Sequence, residues 1–394
     1  MVTKKSKSFL ILLLCAAALS VVLVLFLMRE PPVLYAITYL PTLGGFRTNP
    51  HAINDRGQVI GIADTATGAV YVFLWDKEQG FRTLERFDDP PHMGGLCLNN
   101  VGQIVGTMAD PNANQRAFFW DLNAGRQMLG TLGGKQSTAE GLNNRGQVVG
   151  SAEVPGRHRH AFVWDAVAGM KDLGTLGGYT SGALGINDSG QIVGCAETTD
   201  HRYHVVLWDP ISTTGQGAQD SSGSSVQSTT SPQSGVAAGG PPGYKLIDLG
   251  DGGVGPILCD INNRGLVVRR YGVTSGKTRF ITWTQATGAK TLDFVIDSGM
   301  STGLNERNQF IIRGKPTGLK MFGRVFSRRH QCYLWDPNSG PLLLENHLPV
   351  KDIVHFGTKD VNNQGQIIGT LRTKDSNQIR AVVLERADGK NAGR

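Results

Sequence analysis

Short apolar runs recur along most of this chain and are separated by turn-forming residues. They are clearest from Thr131 to Gly178, where Gly-Leu-Asn-Asn-Arg-Gly-Gln-Val-Val-Gly (141–150) precedes His-Ala-Phe-Val-Trp-Asp (160–165), and Gly-Thr-Leu-Gly-Gly follows at 174–178. Short runs rich in Val, aromatic residues and Ile, bounded by Gly and Asn, are typical of β-strands. The pattern therefore predicts an all-β protein.

Two signatures mark weaker copies of this stretch along the chain. The first is Asn-X-X-Gly-Gln, and its asparagines are Asn54, Asn99, Asn143, Asn187, Asn262, Asn305 and Asn362. The second is Trp-Asp after an apolar triplet; all six tryptophans occupy it, at Trp75, Trp120, Trp164, Trp208, Trp283 and Trp335, and Leu384 fills the position in the seventh copy. The first five copies share an Asn-to-Trp spacing of 21 residues. A fixed period in this range indicates a solenoid, a propeller or an array.

Each copy predicts four strands, which we call A, B, C and D. In the third copy, A ends near Asn143, B covers 147–150, C covers 160–164 and D covers 170–173. The Asn signature suits a type I turn followed by a left-handed residue, in which Asn bonds its own turn and Gly takes the positive φ. In the sixth copy Asn308 replaces this Gly, and Asn also tolerates that region. We therefore interpret the Asn column as structural.

The strand pattern predicts how the repeats pack. Strand C is apolar on both faces, with Phe162 and Trp164 on one face and Ala161 and Val163 on the other, so each sheet needs a neighbour on either side. A D-type strand, 34–40, precedes the first copy, whereas the last copy ends at 382–384 without a D strand. We expect a seven-bladed β-propeller over 35–386, closed by the N-terminal strand and followed by a tail, 387–394. The Ser- and Gly-rich insertion 211–243 is expected to be disordered.

The N-terminus predicts a membrane anchor. Lysines lie within residues 1–8, and the uncharged run 9–28 would form a helix about 30 Å long, enough to span a bilayer. The alternative is a cleaved signal peptide with its site near 16–18, although apolar residues continue well beyond it. The preceding lysines place the N-terminus in the cytoplasm and the propeller, joined by the linker 29–34, outside it.

Composition excludes some classes of function. The net charge of +7 is modest, and with an outward-facing propeller it argues against nucleic-acid binding. The five cysteines are scattered without a CxxC pair, so neither a zinc site nor a disulfide framework is expected. The sequence shows no nucleophile elbow, phosphate loop or HExxH segment, and it predicts no cofactor.

The triplet His160-Ala161-Phe162, together with Leu-Gly-Thr-Leu-Gly-Gly at 129–134 and 173–178, resembles the HAF repeat family of extracellular repeat proteins. The resemblance covers roughly 37–385 and is strongest from 129 to 209. It implies export without implying a reaction. Only one copy keeps the full triplet; others read Arg116-Ala117-Phe118, His204-Val205-Val206 and Arg380-Ala381-Val382, and this drift argues against an essential ligand role for the His in every repeat.

Basic residues suggest a surface for an anionic partner. The first residue of strand C, four before the Trp, forms the column Tyr71, Arg116, His160, His204, Arg279, Gln331 and Arg380. The lengthened B-to-C loop of repeat six, 315–330, adds Lys320, Phe322, Arg324, Phe326, Arg328 and Arg329. Ring symmetry would place both sets on one loop-rich face, where they could bind lipid headgroups, an acidic glycan, phosphate or an envelope protein. The alternative is that strand ends are simply charged where they meet water.

Two other groups of residues suggest a metal site or a catalytic site. His158, His160, His201 and His204 suggest a metal, but they show no matching carboxylate spacing, so no metal is predicted. The connection 85–95, which contains Glu85, Asp88, Asp89 and His92, could perform acid–base work or hold Ca²⁺, but a solvated loop is the simpler interpretation.

The sequence thus favours a membrane-anchored, extracytoplasmic binding or interaction scaffold. The alternative is a propeller-type lyase or hydrolase acting on an exported polymer. The two differ at the central mouth, where an enzyme should gather non-repeating acids, His or Tyr, and a scaffold should show repeating or basic residues. Fold alone does not decide between them.

Overall fold

The structure is a computed structural model that describes residues 34–87, 95–211, 241, 243–253, 257–272, 276–316, 330–376 and 378–387. This part of the chain is all-β, as predicted, with one short 3-10 helix, Leu344–His347. It includes no helix long and apolar enough to span a bilayer. The run 9–28, most of the insertion 211–243 and nearly all of the tail 387–394 lie outside the described residues.

The first four repeats each form a four-stranded antiparallel sheet whose strands pair in chain order. The first strand, β1 (Tyr35–Tyr39), belongs to the last sheet. The strands of the first four sheets are β2 (Gly44–Ile53), β3 (Val59–Thr65), β4 (Val70–Asp76), β5 (Gly80–Phe87); β6 (Cys97–Leu98), β7 (Ile104–Ala109), β8 (Gln115–Asp121), β9 (Gly125–Met128); β10 (Ser137–Leu142), β11 (Val148–Glu153), β12 (Arg159–Asp165), β13 (Gly169–Asp172); and β14 (Gly177–Ile186), β15 (Ile192–Thr198), β16 (Tyr203–Pro210), β17 (Tyr244–Asp251).

The remaining strands form two further sheets. They are β18 (Cys259–Ile261), β19 (Val267–Gly272), β20 (Lys277–Thr284), β21 (Gly288–Leu304), β22 (Phe310–Pro316), β23 (Gln331–Asp336), β24 (Gly340–Leu343); and β25 (Ile353–Val361), β26 (Ile367–Thr373), β27 (Arg380–Arg386). Strands β18 to β24 make one seven-stranded sheet, because β21 pairs with β20 along its first part and with β22 along its second. The sequence pattern predicted two separate strands here, D of repeat five and A of repeat six.

The last sheet is completed by the start of the described chain. Strand β1 pairs antiparallel with β27, with Ile37 opposite Leu384, and the sheet order is β1-β27-β26-β25. Leu40 then enters an apolar cluster with Ile53 of the first sheet and Ile368 of the last. The N-terminal strand therefore joins the two ends of the repeat array, as the pattern predicted.

Apolar side chains fill the spaces between neighbouring sheets. Phe162 and Trp164 belong to the cluster shared with the second sheet, whereas Ala161 and Val163 belong to the cluster shared with the fourth. Strand C is thus buried on both faces, as predicted. The indole of Trp208 is fully buried and donates a hydrogen bond to the Leu173 carbonyl, 2.8 Å away.

The Asn signature forms the A-to-B turn in every repeat. Asn54 Oδ1 accepts from the amides of Arg56 and Gln58, and Gly57 takes a φ of +75°. Asn308, the residue in the Gly position of repeat six, takes a φ of +61°. The structural interpretation of this column is therefore confirmed.

Candidate functional site

The A strands of all seven repeats converge on a central channel that contains a cavity of about 400 Å³. Each repeat contributes residues that lie two or three positions before its signature Asn, on strands that β-bulges distort at this point in repeats one, three, four, six and seven. The cavity therefore lies where local strand irregularity turns extra side chains inward.

Polar residues in this cavity do not repeat. Three positions before the Asn, His51, Glu140 and Lys359 occur where Leu96 and Leu184 lie in other repeats. Two positions before the Asn, the sequence has Asp260 and Asp360 where other repeats have Ala, Cys or Gly. We call His51, Glu140, Asp260, Lys359 and Asp360 the channel cluster.

The two aspartates of the channel cluster are held by backbone amides of neighbouring repeats. Asp360 accepts from Ile53 N at 3.1 Å and from Val361 N at 2.8 Å. Asp260 accepts from Ile261 N at 2.8 Å and also from the amide of Leu304. A Cβ at Gly303 would collide with the Asp360 carboxyl, so a glycine is required at that position.

Burial controls the protonation of these groups. It raises the pKa of Asp260 to about 6 and that of Asp360 to about 7, in the second case with help from the nearby Asp260 and Asp55 charges. It also raises the pKa of Glu140. Burial and then the Lys359 charge lower the pKa of His51 to about 4. The channel cluster therefore holds a neutral imidazole and a carboxyl group that can exchange a proton near neutral pH.

The end of the channel formed by the Asn turns is chemically different. A shallow pocket there is lined by the seven signature asparagines, the residues after them and an aliphatic residue before each. Asp55 Oδ2 accepts from the side chains of Asn100 and Asn363, at 2.7 and 2.8 Å, and Asp188 Oδ2 accepts from Asn144 and Asn263. The carboxylates of Asp55 and Asp188 are thus already hydrogen-bonded to asparagines of neighbouring Asn turns, so the residues of this pocket have a structural role.

The basic column predicted from the sequence is accounted for residue by residue. Arg116 forms an ion pair with Asp110 at 3.1 Å, and His160 and His204 lie 2.8 Å from Asp172 and Asp248. The hydrogen bond that His160 donates to the Asp172 carboxylate raises the pKa of His160, and burial opposes this shift with a smaller effect. The Arg380 guanidinium lies 4.5 Å from the Tyr39 ring centroid, and Arg279 is exposed on β20. Each paired member interacts within its own sheet.

The other predicted residues are placed as follows. Lys320, Phe322, Arg324, Phe326, Arg328 and Arg329 lie outside the described residues, as do Asp88, Asp89 and His92. Glu85 lies on β5 and forms an ion pair with Arg126. His158 and His201 stack on opposite sides of Tyr179, with centroid distances of 4.9 and 5.3 Å.

Sequence reasoning missed the channel cluster. The Asn and Trp signatures define the repeats, whereas the residues of the channel cluster lie in columns that vary between copies. The signal was nevertheless present, because a titratable residue in a column of Leu, Ala and Gly is out of place. By the criterion set from the sequence, the non-repeating acids and His51 near the centre favour the enzyme alternative, whereas Lys359 is a basic residue of the kind expected in a scaffold.

No model of a known family and no curated protein matches the sequence. Among solved structures, the fold is similar to puromycin hydrolase, with a TM-score of 0.53 and 12% identity over 90% of this chain and 58% of that one. It is also similar to virginiamycin B lyase from Staphylococcus aureus (TM-score 0.49, 11% identity, 90% and 100% covered) and to TolB from Acinetobacter baumannii (0.42, 12%, 66% and 55%). The chain spans little more than half of the hydrolase and TolB chains. At such low identity the likeness shows a propeller-like all-β fold and no activity.

Proposed function

We propose that this chain is a seven-bladed β-propeller of the HAF repeat kind that works outside the cytoplasm, anchored by residues 9–28, as a binding module for a cell-envelope partner. Two features support seven blades. The seven signature asparagines are linked in a closed circuit, and the seven-stranded sheet contains two four-stranded repeats that share β21. The anchor and the orientation rest on the sequence alone.

The observation that carries the binding role is the difference between the two ends of the channel. At the Asn-turn end, repeating side chains satisfy one another. Toward the other end, non-repeating polar residues line a cavity of about 400 Å³, large enough for a small polar group or the end of a polymer. Repeating residues build the ring, and the residues that break the repeat are the ones available for recognition.

The binding role can be tested on the full chain in detergent micelles. We expect soluble peptidoglycan fragments, an acidic polysaccharide or vesicles with anionic lipid to raise its melting temperature. Leu184 lines the cavity, so Leu184→Trp should fill it and reduce the shift. Val167, which is 97% exposed, provides the matched control Val167→Trp, which should behave as the unmodified chain. If none of the three probes acts, or if both variants respond equally, the channel is not the binding site.

A second candidate function is catalysis on an exported polymer. It is favoured by Asp360, whose pKa of about 7 suits proton transfer at neutral pH, beside a cavity that also contains Glu140 and Lys359. Asp360→Asn keeps the size of the side chain but cannot exchange a proton. An enzyme would lose turnover of the probe polymer while still binding it, whereas a scaffold would show no turnover in either form.

A further inference from the structure

Three cationic side chains and one histidine gather where the channel meets the loop-rich end of the sheets. Arg313 lies on β22, Arg372 on β26, and His355 and Lys359 on β25, all in the sixth and seventh repeats. Arg372 is the register partner of His355, and Lys359 lines the channel cavity. We call these four residues the cationic rim.

Arg313 packs against Gly357 of the seventh repeat. Its guanidinium carbon lies 3.7 Å from the point where a Cβ would stand on Gly357, an ordinary van der Waals distance. Arg313 Nε is buried and has no hydrogen-bond acceptor among the described residues, and the same is true of Arg372 Nε. A buried donor without an acceptor is costly, about 1–3 kcal/mol or more when it carries charge, so two of them in one place need an explanation.

The surroundings of the cationic rim increase this cost. Burial lowers the pKa of His355, and both charged groups that lower it further are arginines, Arg313 and Arg372. Burial and then the Arg313 charge lower the pKa of Lys359. His330, at the start of β23, has its pKa lowered by burial and then by Arg313 and Lys315. Positive groups thus crowd together, and each one opposes the charge of the next.

Other basic residues at this end of the molecule are neutralised. Arg116, His160 and His204 each have a carboxylate partner within about 3 Å. Arg202, in the B-to-C turn of repeat four, pairs with Asp200 at 2.7 Å. Within the described residues, neither Arg313 nor Arg372 has such a pair. Arg313 and Arg372 differ from these four residues because no carboxylate pairs with them among the described residues.

We propose that the cationic rim binds a phosphoryl group, with Arg313 and Arg372 as its principal ligands and Lys359 facing it from the channel. A guanidinium binds two oxygens side by side, and two guanidiniums with a lysine offer more donors than the two oxygens of one carboxylate can accept. A phosphate monoester has three free oxygens and up to two negative charges, which matches this set. The inference rests on the proposed function, since it takes the same end of the channel as the entrance for the ligand.

The test uses the full chain in zwitterionic detergent, with inorganic phosphate as the first probe and vesicles as the second. Phosphate should bind the unmodified chain in isothermal titration and raise its melting temperature. Arg313→Gln should weaken this binding at least tenfold, and so should Arg372→Gln. Arg202→Gln removes the same charge from a paired, exposed arginine and should bind phosphate as the unmodified chain does. Melting curves without phosphate establish that each variant is folded.

The outcomes separate the sources of the phosphoryl group and the two proposals. Binding to vesicles that contain phosphatidic acid, lost with Arg313→Gln, identifies a lipid headgroup; phosphate binding without vesicle binding identifies a soluble ligand. If the unmodified chain does not bind phosphate or these vesicles, or if Arg313→Gln and Arg202→Gln behave alike, the cationic rim is not an anion site. If phosphate binds at the cationic rim but Leu184→Trp does not change the melting-temperature shift caused by any envelope probe, the phosphoryl site is supported and the proposed binding function of the channel is contradicted.

Discussion

Asn362 donates a hydrogen bond from its side-chain nitrogen to the backbone carbonyl of Asn54, 2.9 Å away and 308 positions earlier in the chain. The same bond joins Asn54 to Asn99 and every later pair of successive signature asparagines. All seven of these side chains are buried, with at most 5% of their surface exposed. A local turn signal therefore also provides the contact between one repeat and the next.

Removing one signature asparagine should destabilise the whole ring. Asn143 Oδ1 accepts from the amides of Arg145 and Gln147, and its Nδ2 donates to Gln147 Oε1 and to the Asn187 carbonyl. Asn143→Ala leaves these buried groups without partners and should lower the free energy of unfolding by about 3 kcal/mol, measured by urea titration. Asn123→Ala, in an exposed turn, should change it by less than about 0.5 kcal/mol. Equal effects would mean that the asparagine circuit adds nothing beyond its turn.

The closure by the first strand can be tested at its two ends. Tyr35 is fully buried in the cluster of the last sheet, whereas Tyr39, on the same strand, is 36% exposed. Tyr35→Ala should cost about 3–5 kcal/mol in urea unfolding, because it empties a core position. Tyr39→Ala should cost about 1 kcal/mol or less, since it removes mainly the contact with Arg380. Similar small losses for both would show that β1 does not secure the ring.

The pH dependence of stability should report on Asp360. Its folded pKa of about 7 lies above the ordinary value of 3.8, so its contribution to stability is complete below about pH 4 and is lost as pH rises through 7. His51, with a folded pKa of about 4, acts in the opposite sense, because its contribution is present above pH 6.5 and is lost as pH falls through 4. The two trends overlap, so the informative quantity is the difference between Asp360→Asn and the unmodified chain.

We expect Asp360→Asn to gain stability relative to the unmodified chain as pH rises from 4 to 8, measured by urea unfolding at each pH. Asp352→Asn, which alters an exposed carboxyl beside the same sheet, serves as the control. The change with pH should be larger for Asp360→Asn than for Asp352→Asn. A flat difference for Asp360→Asn would contradict a raised pKa in the channel.

The cysteines in the repeats should be unreactive in the folded protein. Burial raises the pKa of the Cys97, Cys195, Cys259 and Cys332 thiols, the last to about 11. Since the thiolate is the reactive form, iodoacetamide at pH 8 should modify Cys332 roughly 100-fold more slowly in the native chain than in guanidinium. Peptide-resolved mass spectrometry measures each cysteine separately from Cys15 of the N-terminal segment. Rapid native labelling at Cys332 would show that its sheet opens readily.

Most of the fold could be predicted because its determinants are local and repeated. The Asn-X-X-Gly turn, the doubly apolar strand C and the unpaired final copy each follow from short-range pattern. The fused strand β21 was missed, because the connection between repeats five and six lacks the Thr-Leu-Gly-Gly segment, and strand propensity alone does not show whether a chain bends or continues.

The candidate sites could not be predicted in the same way, because they arise from convergence of distant residues. Glu140 and Asp360 are 220 positions apart and meet in one cavity only because A strands face the channel. Arg313 follows the apolar residues Phe310, Ile311 and Ile312, and nothing nearby in sequence indicates that it packs against Gly357 of the next repeat. Repeat signatures describe what the copies share, whereas a binding site is built from what they do not share.

Strand β21 imposes an asymmetry on an otherwise regular ring. Seventeen residues run without interruption from one sheet into the next, while other neighbouring sheets are joined by a connection that lies outside their strands. A circular permutant with its new termini in such a connection keeps every strand pairing intact, whereas a break near the middle of 288–304 disrupts the sheets of two repeats at once. The fifth and sixth repeats are thus one mechanical unit, and when the ring yields under force or heat it should part at another seam.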